Sequence, residues 1–143
     1  MNFNIKLLQK DDLPTYLKLL QQLTDTGSID SQDLKNQFDL IKQNPLHYIY
    51  VLEYENQIVG CATLLIEPKF IHQLRSVAHI EDVIIDKNYR TNGFGTTLLN
   101  FLVDQAKAYH CYKAICNCSD HIIPFYSKYG FKRTNNEMSI YFP

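Results

Sequence analysis

No run of apolar residues in the 143-residue chain approaches the length of a membrane span, and the first dozen residues, MNFNIKLLQKDD, lack the apolar stretch of a signal peptide. Those absences favour a cytoplasmic protein with no membrane attachment. An excess of one charge is missing too: 14 Lys and Arg stand against 15 Asp and Glu, a formal net charge of -1. A nucleic-acid or anionic-membrane binder would carry a basic excess, so neither partner is expected, although a local basic cluster still suits a phosphate. The four cysteines, Cys61, Cys111, Cys116 and Cys118, include no C-x-x-C pair, and without a secretory leader they are expected as thiols. Repeats, linkers and low-complexity tracts are lacking as well. With 45% hydrophobic residues, the chain is long enough for a core and reads as one domain over 1–143.

What is present is an alternation of strand and helix patterns. Phe3 to Leu8 alternates as a strand. Leu13, Tyr16, Leu17, Leu19, Leu20 and Leu23 then recur at helical spacing behind Asp11-Asp12, with Pro14 in the first turn and Gly27 as the stop. Ser31 opens a second helix with Phe38, Leu40 and Ile41 on its apolar side, ending before Pro45. His47–Glu53 and Gln57–Ile66 read as a hairpin turned at Glu55-Asn56, followed by a loop at Gln73–Arg75 and a strand over Ile80–Ile85. A helix to about Tyr109, a strand at Lys113–Asn117, a short helix at His121–Lys128 and a last strand at Phe131–Phe142 complete the order β-α-α-β-β-β-α-β-α-β. That order is mixed α/β, and periodicity leaves the sheet topology open.

The stretch that carries most chemistry is Val77 to Gly95, a strand bearing Glu81 and Asp82 that runs into Arg90-Thr91-Asn92-Gly93-Phe94-Gly95. A phosphate P-loop needs Lys-Ser/Thr after its last glycine, where this chain has Thr96-Thr97. A dinucleotide fingerprint needs a third glycine and paired βαβ halves, and both are missing. Two readings remain: a turn that happens to hold two glycines, or a pyrophosphate cradle of the form R-x-x-G-x-G at a helix N-terminus. In the cradle the glycines let backbone N–H groups approach the anion and Arg90 adds charge. Glu81 and Asp82, being adjacent on a strand, should point to opposite faces. Zinc at His110, Cys111, Cys116, Cys118 and His121 is disfavoured, because Cys116 and Cys118 lie on a predicted strand with no second metal-spaced pair.

Several motifs in order, KFIH at Lys69–His72, HIEDV at His79–Val83, the R-x-x-G-x-G turn, CYK at Cys111–Lys113 and FYxKxGF at Phe125–Phe131, together resemble the GNAT acetyltransferase superfamily. Within it, they are most similar to the eukaryotic glucosamine 6-phosphate N-acetyltransferases. The resemblance implies a GNAT fold, with a mixed central sheet of about six to seven strands, a V-shaped cofactor cleft and about four flanking helices. It implies direct acetyl transfer from acetyl-CoA to an amino-sugar phosphate, with no metal and no acyl-enzyme. Backbone groups of Val83, Ile84 and Ile85 would pair with the pantetheine arm, and Arg90, Thr91, Asn92, Gly93, Phe94, Gly95 and Thr96 would hold the pyrophosphate. Tyr126 would sit beside the sulfur and give a hydrogen bond or proton to the departing thiolate. Glu81 and Asp82 would contribute to the amino-sugar site, Lys69 and His72 to an acceptor loop whose cation suits the 6-phosphate, and Thr24 to a further sugar contact. A homodimer whose C-terminal strands complete the partner's site is implied as well.

Three positions depart from the family's pattern. Asn117 stands where an acidic residue that could take the amine's proton is usual, Ile122 replaces an Asn, and Tyr141 replaces a phosphate-binding Arg. Asn117, a catalytic position in the family, cannot act as a base here. The proton would leave through water, Glu81 or His121, and the phosphate would fall to Lys69, Lys132 or Arg133. Another amino sugar or small amine as acceptor, or a weakly active CoA-binding module, are the alternatives these departures raise.

Overall fold

The computed structural model describes residues 2–143. Five strands form one sheet in the order β1 (Phe3–Leu7), β2 (His47–Tyr54), β3 (Gln57–Glu67), β4 (Ser76–Ile85) and β5 (Cys111–Ile115). The first three pairings are antiparallel and β4–β5 is parallel. The β2–β3 turn is Glu55-Asn56, both left-handed at φ 51 and 63, the backbone that a two-residue hairpin needs to match strand twist. A parallel pair requires a crossover, and here α4 (Phe94–Ala108) supplies it.

Two cores follow from the two sheet faces. On one, Phe94, Leu98, Leu99, Leu102 and Ala106 of α4 pack with Leu64, Ile66, Ala78 and Ile80. On the other, Leu13, Tyr16 and Leu19 of α1 (Leu13–Leu20) cover Val51, Cys61 and Ile84. Leu34 and Phe38 of α2 (Ser31–Lys42) join at the edge of this second core. Asp30 caps α2 through its carboxylate, which accepts from the N–H groups of Gln32 and Asp33 at 2.9 and 3.3 Å. Leu40, expected on the apolar side of α2, is exposed.

The expected sheet of six to seven strands is corrected to five. The missing strand is Phe131–Phe142, which forms no helix or ladder; a strand exists only where a neighbour supplies its hydrogen bonds. β4 begins at Ser76 instead of Ile80, and β5 spans Cys111–Ile115, leaving Cys116 and Asn117 beyond its end. Five α-helical segments and three 3-10 turns replace the expected four helices. Among them is a one-turn segment, α3 (Ile71–Leu74), where a plain loop was expected. His72, Gln73 and Leu74 there are successively left-handed at φ 51, 59 and 64, a conformation that costs non-glycine residues energy.

Candidate active site

β4 and β5 stay paired only through His79 and Ile115. Beyond that point β4 continues to Ile85 and keeps β3 as its neighbour, with Thr63 opposite Glu81, Cys61 opposite Ile84 and Gly60 opposite Ile85. β5 ends at Ile115, so beyond His79 that side of β4 has no strand beside it, the opening expected for a V. Among the described residues, no strand pairs with the β5-facing backbone edge of Val83–Ile85, the edge assigned from sequence to an extended ligand arm.

A bulge shapes the same stretch. The β3–β4 register slips between Cys61 and Thr63, and Asp82 takes φ 50. One extra residue in β4 inverts the alternation. Ile80 and Ile85, an odd number of residues apart, therefore both reach the α4 core, while Ile84 reaches the α1 core. The expectation that Glu81 and Asp82 simply face opposite sides of a regular strand needs this correction: Glu81 is half-buried, and Asp82 is an exposed bulge residue whose carbonyl lies 3.8 Å from the Cys61 thiol.

The floor of the V is the turn into α4. Asp86 accepts from the Asn88 N–H at 2.9 Å and starts a 3-10 turn, Lys87–Asn92. Gly93 then turns left-handed at φ 78, which glycine adopts without penalty. The first helical hydrogen bond of α4 is from Thr97 N–H to the Gly93 carbonyl at 3.1 Å. The N–H groups of Phe94, Gly95 and Thr96 are thus the orphan donors of the helix, and Gly93 offers no side-chain cap. These donors and the helix dipole suit an anion. Arg90 donates its Nε–H to the Ile85 carbonyl at 3.0 Å, which ties the guanidinium to the end of β4. Phe125 packs close over Gly95, where a Cβ would lie 3.4 Å from Phe125 Cζ.

The walls carry the titratable groups. Tyr126, on α5 (Ile123–Lys128), is buried, with its ring edge-on to Phe125 and Phe131 at 5.2 and 5.5 Å. Burial, followed by the nearby Cys116 and Cys118 thiols and the Glu81 carboxylate, raises its phenol well above the ordinary 10.0. Burial likewise pushes the Cys116 thiol up to about 11. Glu81 is also raised, by burial first and then by Asp82 and Glu137, with His79 opposing. The two shifts give a carboxyl biased toward binding a proton and a phenol that keeps its own.

Asn117 lines a groove of about 620 Å³ together with Cys116, Cys118, Tyr126 and the segment from Phe131 to Glu137. The other acceptor candidates are spread out. Lys69 Nζ pairs with Glu67 Oε2 at 3.2 Å, whose other oxygen meets His79 Nε2 at 2.9 Å. His72 is drawn toward the start of β5, stacked on Tyr112 at 3.9 Å, away from the opening of the V. Thr24 is exposed just after α1, in a segment latched by Gln22, whose side chain bonds Asp86 Oδ2 at 3.3 Å and the Lys87 N–H at 3.0 Å. Ile122 and Tyr141 are exposed, Tyr141 by 90%. Sequence reading missed Gln22, Asp86 and the Glu67–His79 pair, since none sits in a glycine or aromatic motif; only the HIED string marks His79.

Comparison with known proteins fits this geometry. The model of the acetyltransferase (GNAT) family matches residues 13–131. The chain is 35% identical over 144 residues to a glucosamine 6-phosphate N-acetyltransferase of Arabidopsis thaliana, covering 98% of this chain and 97% of the relative. It is 33% identical over 141 residues to the Trypanosoma brucei brucei protein of the same name, covering 98% and 96%. The crystal structure of the Arabidopsis thaliana glucosamine-6-phosphate N-acetyltransferase superposes with a TM-score of 0.92 at 34% identity over the full length of both chains.

Proposed function

The chain belongs to the acetyltransferase (GNAT) family, and we infer that it transfers the acetyl group of acetyl-CoA to the amine of glucosamine 6-phosphate, giving N-acetylglucosamine 6-phosphate. The observation that carries this reading is the end of the β4–β5 pairing at His79–Ile115, which leaves the Val83–Ile85 stretch of β4 with no strand on that side, just before the turn that presents the unpaired N–H groups of α4. Near-full-length relatives with that activity in their names support the acceptor.

In the proposed reaction the pyrophosphate of acetyl-CoA lies on the Phe94, Gly95 and Thr96 N–H groups, with Arg90 adding charge. The Thr91–Gly93 turn shapes the approach. The pantetheine arm runs along the open edge of Val83–Ile85 as an added strand. The acceptor amine, once neutral, attacks the thioester carbon, the carbonyl oxygen becomes an oxyanion, and collapse expels the CoA thiolate. Glu81 takes the proton that the amine sheds, its raised carboxyl being better matched to an amine than an ordinary glutamate. Tyr126 stabilises the departing sulfur by a hydrogen bond. Full proton transfer from it is uphill, because a thiol is ordinarily near pKa 8.5 and this phenol sits above 10.0. Asn117, also at this mouth, can orient the acceptor but cannot remove a proton. Lys69 serves the phosphate, Asp82 and Thr24 are assigned to the rim of the acceptor site, and His72, held on Tyr112, would reach an acceptor only across a dimer.

We also propose a homodimer. The segment after Phe131 leaves Met138, Ile140, Tyr141 and Phe142 from 78% to 94% exposed, an apolar surface that association would bury. The outer edge of β5 and the adjacent groove suit such a strand from a second copy, which would also bring His72 or Tyr141 to a neighbouring site. A single-chain mass by sedimentation equilibrium would refute it. We further propose a single-domain, cytoplasmic enzyme, its four cysteines standing as thiols; no helix among the described residues is long and apolar enough to cross a membrane.

The test is thiol release from acetyl-CoA against glucosamine 6-phosphate, glucosamine, other hexosamine phosphates and simple amines. The expected result is the highest kcat/KM with glucosamine 6-phosphate. Preference for an unphosphorylated sugar or a simple amine would favour the second acceptor reading that Asn117 and Tyr141 raise. CoA binding without turnover of any acceptor would leave only a binding module.

A further inference from the structure

Glu67 at the end of β3 and His79 facing it from β4 have no part in the chemistry so far. β3 ends at Glu67 because Pro68 has no N–H for the ladder. The proline ring also restricts the residue before it to an extended backbone, so the path from Glu67 to Lys69 is stiff. Across this stiff step the Glu67 carboxylate divides its oxygens: Oε2 lies 3.2 Å from Lys69 Nζ, and Oε1 lies 2.9 Å from His79 Nε2. A carboxylate only accepts, so Nε2 of His79 is the nitrogen that carries hydrogen.

The register shows where this leads. Glu67 opposes Val77 and His79 opposes Leu65, so Glu67 reaches its diagonal neighbour on the same sheet face. Glu81 lies two residues further along β4, about 6.6 Å by strand geometry, and its carboxyl feels the charge of His79. Lys69, Glu67, His79 and Glu81 thus form a line of alternating chemistry. One end is a cation suited to a phosphate and the other is the carboxylate assigned to the amine. An amino-sugar phosphate carries these two groups at opposite ends of the molecule.

A stability role explains the Glu67 contacts poorly. The Lys69 and Glu67 side chains are 34% and 45% exposed, and ion pairs this exposed contribute little to folding. What the pair does achieve is to restrict a long, flexible side chain. Lys69 has three N–H donors, and one bond to Glu67 leaves two for a phosphate. The carboxylate therefore holds the ammonium in place without competing for all of it.

We propose that Glu67 is a positioning residue that presents Lys69 to the 6-phosphate of the acceptor. The proposal rests on the assignment of an amino-sugar phosphate as acceptor. It makes Glu67 a determinant of preference for phosphorylated over unphosphorylated amino sugars, acting on binding and not on the transfer step.

Steady-state kinetics with saturating acetyl-CoA test it, using the full chain, Glu67→Gln, Lys69→Met and the double variant, each with glucosamine 6-phosphate and with glucosamine. Glu67→Gln is expected to raise KM for the phosphorylated sugar about three- to tenfold, the loss that follows from ordering one long side chain during binding. Its kcat should stay within twofold, and its KM for glucosamine should not move. In the Lys69→Met background the same substitution should have no further effect on KM, because the two residues act as one unit. A uniform rise for both sugars, a fall in kcat with KM unchanged, or full additivity with Lys69→Met would each overturn the proposal. Wild-type turnover of glucosamine 6-phosphate with an unaltered Glu67→Gln variant would refute the Glu67 role alone. Absence of wild-type turnover would refute the acceptor assignment and this proposal with it.

Discussion

Removing a single oxygen tests the transfer chemistry most directly. In Tyr126→Phe the ring keeps its edge-on contacts with Phe125 and Phe131, so the fold should persist with little change in melting temperature. What disappears is a hydrogen bond to a sulfur that becomes anionic only as the thioester breaks. Hydrogen bonds to charged groups contribute about 1.5–3 kcal/mol. The Tyr126 side chain is buried, 8% exposed, so solvent screening does not diminish that figure much. At about 1.4 kcal/mol per tenfold, kcat should fall roughly 10- to 150-fold. The ground-state thioester carries no such charge, so acetyl-CoA affinity by calorimetry should remain within about twofold. Because the phenol is raised above 10.0, the wild-type enzyme should show no loss of activity from Tyr126 ionisation up to that pH. A variant with wild-type kcat, or one whose acetyl-CoA dissociation constant rises as much as its rate falls, would refute the leaving-group role.

Two further outcomes follow from the same site. Glu81 must be ionised to accept a proton, so kcat at saturating sugar should fall as pH drops through its pKa. Since burial lifts that carboxyl above the ordinary 4.5, the acidic limb should lie above 4.5; Glu81→Gln should lower the rate about 10²–10⁴-fold and abolish the limb, and a limb that persists would assign it elsewhere. Gly93→Ala meets nothing within 4 Å of its new Cβ but retains φ 78, so the cost is conformational, about 1–2 kcal/mol. It should lower the melting temperature by a few degrees and weaken CoA binding, and an unchanged melting curve with unchanged affinity would show that the turn does not need the left-handed residue.

The sequence by itself determined the elements whose pattern is local. The helical spacing of Leu98, Leu99, Leu102 and Ala106 is a property of the chain, and it appears as α4. Glu55-Asn56 carries its own turn chemistry and makes the expected hairpin. The glycine turn was legible too, because Gly93 is required by its own backbone angle. The ordered set of motifs fixed the family and the likeness to amino-sugar acetyltransferases.

Tertiary structure decided whatever depends on partners distant in the chain. No local rule places an extra residue at Asp82, since a bulge exists only against a facing strand. That bulge lies beyond Glu81 and sets which core each later residue enters, Ile84 the α1 side and Ile85 the α4 side. Phe125, thirty residues on, is brought against the backbone of Gly95, within van der Waals reach of a Cβ placed there. Phe131–Phe142 has the residues of a strand, yet within the chain it finds no edge to pair with. The grouping of Glu81 with Tyr126 and the bridge from Lys69 through Glu67 to His79 likewise exist only once the sheet register is set. Propensity and spacing act over a few residues, whereas charge coupling and close packing act through space, and the chemistry of this site depends on the second kind.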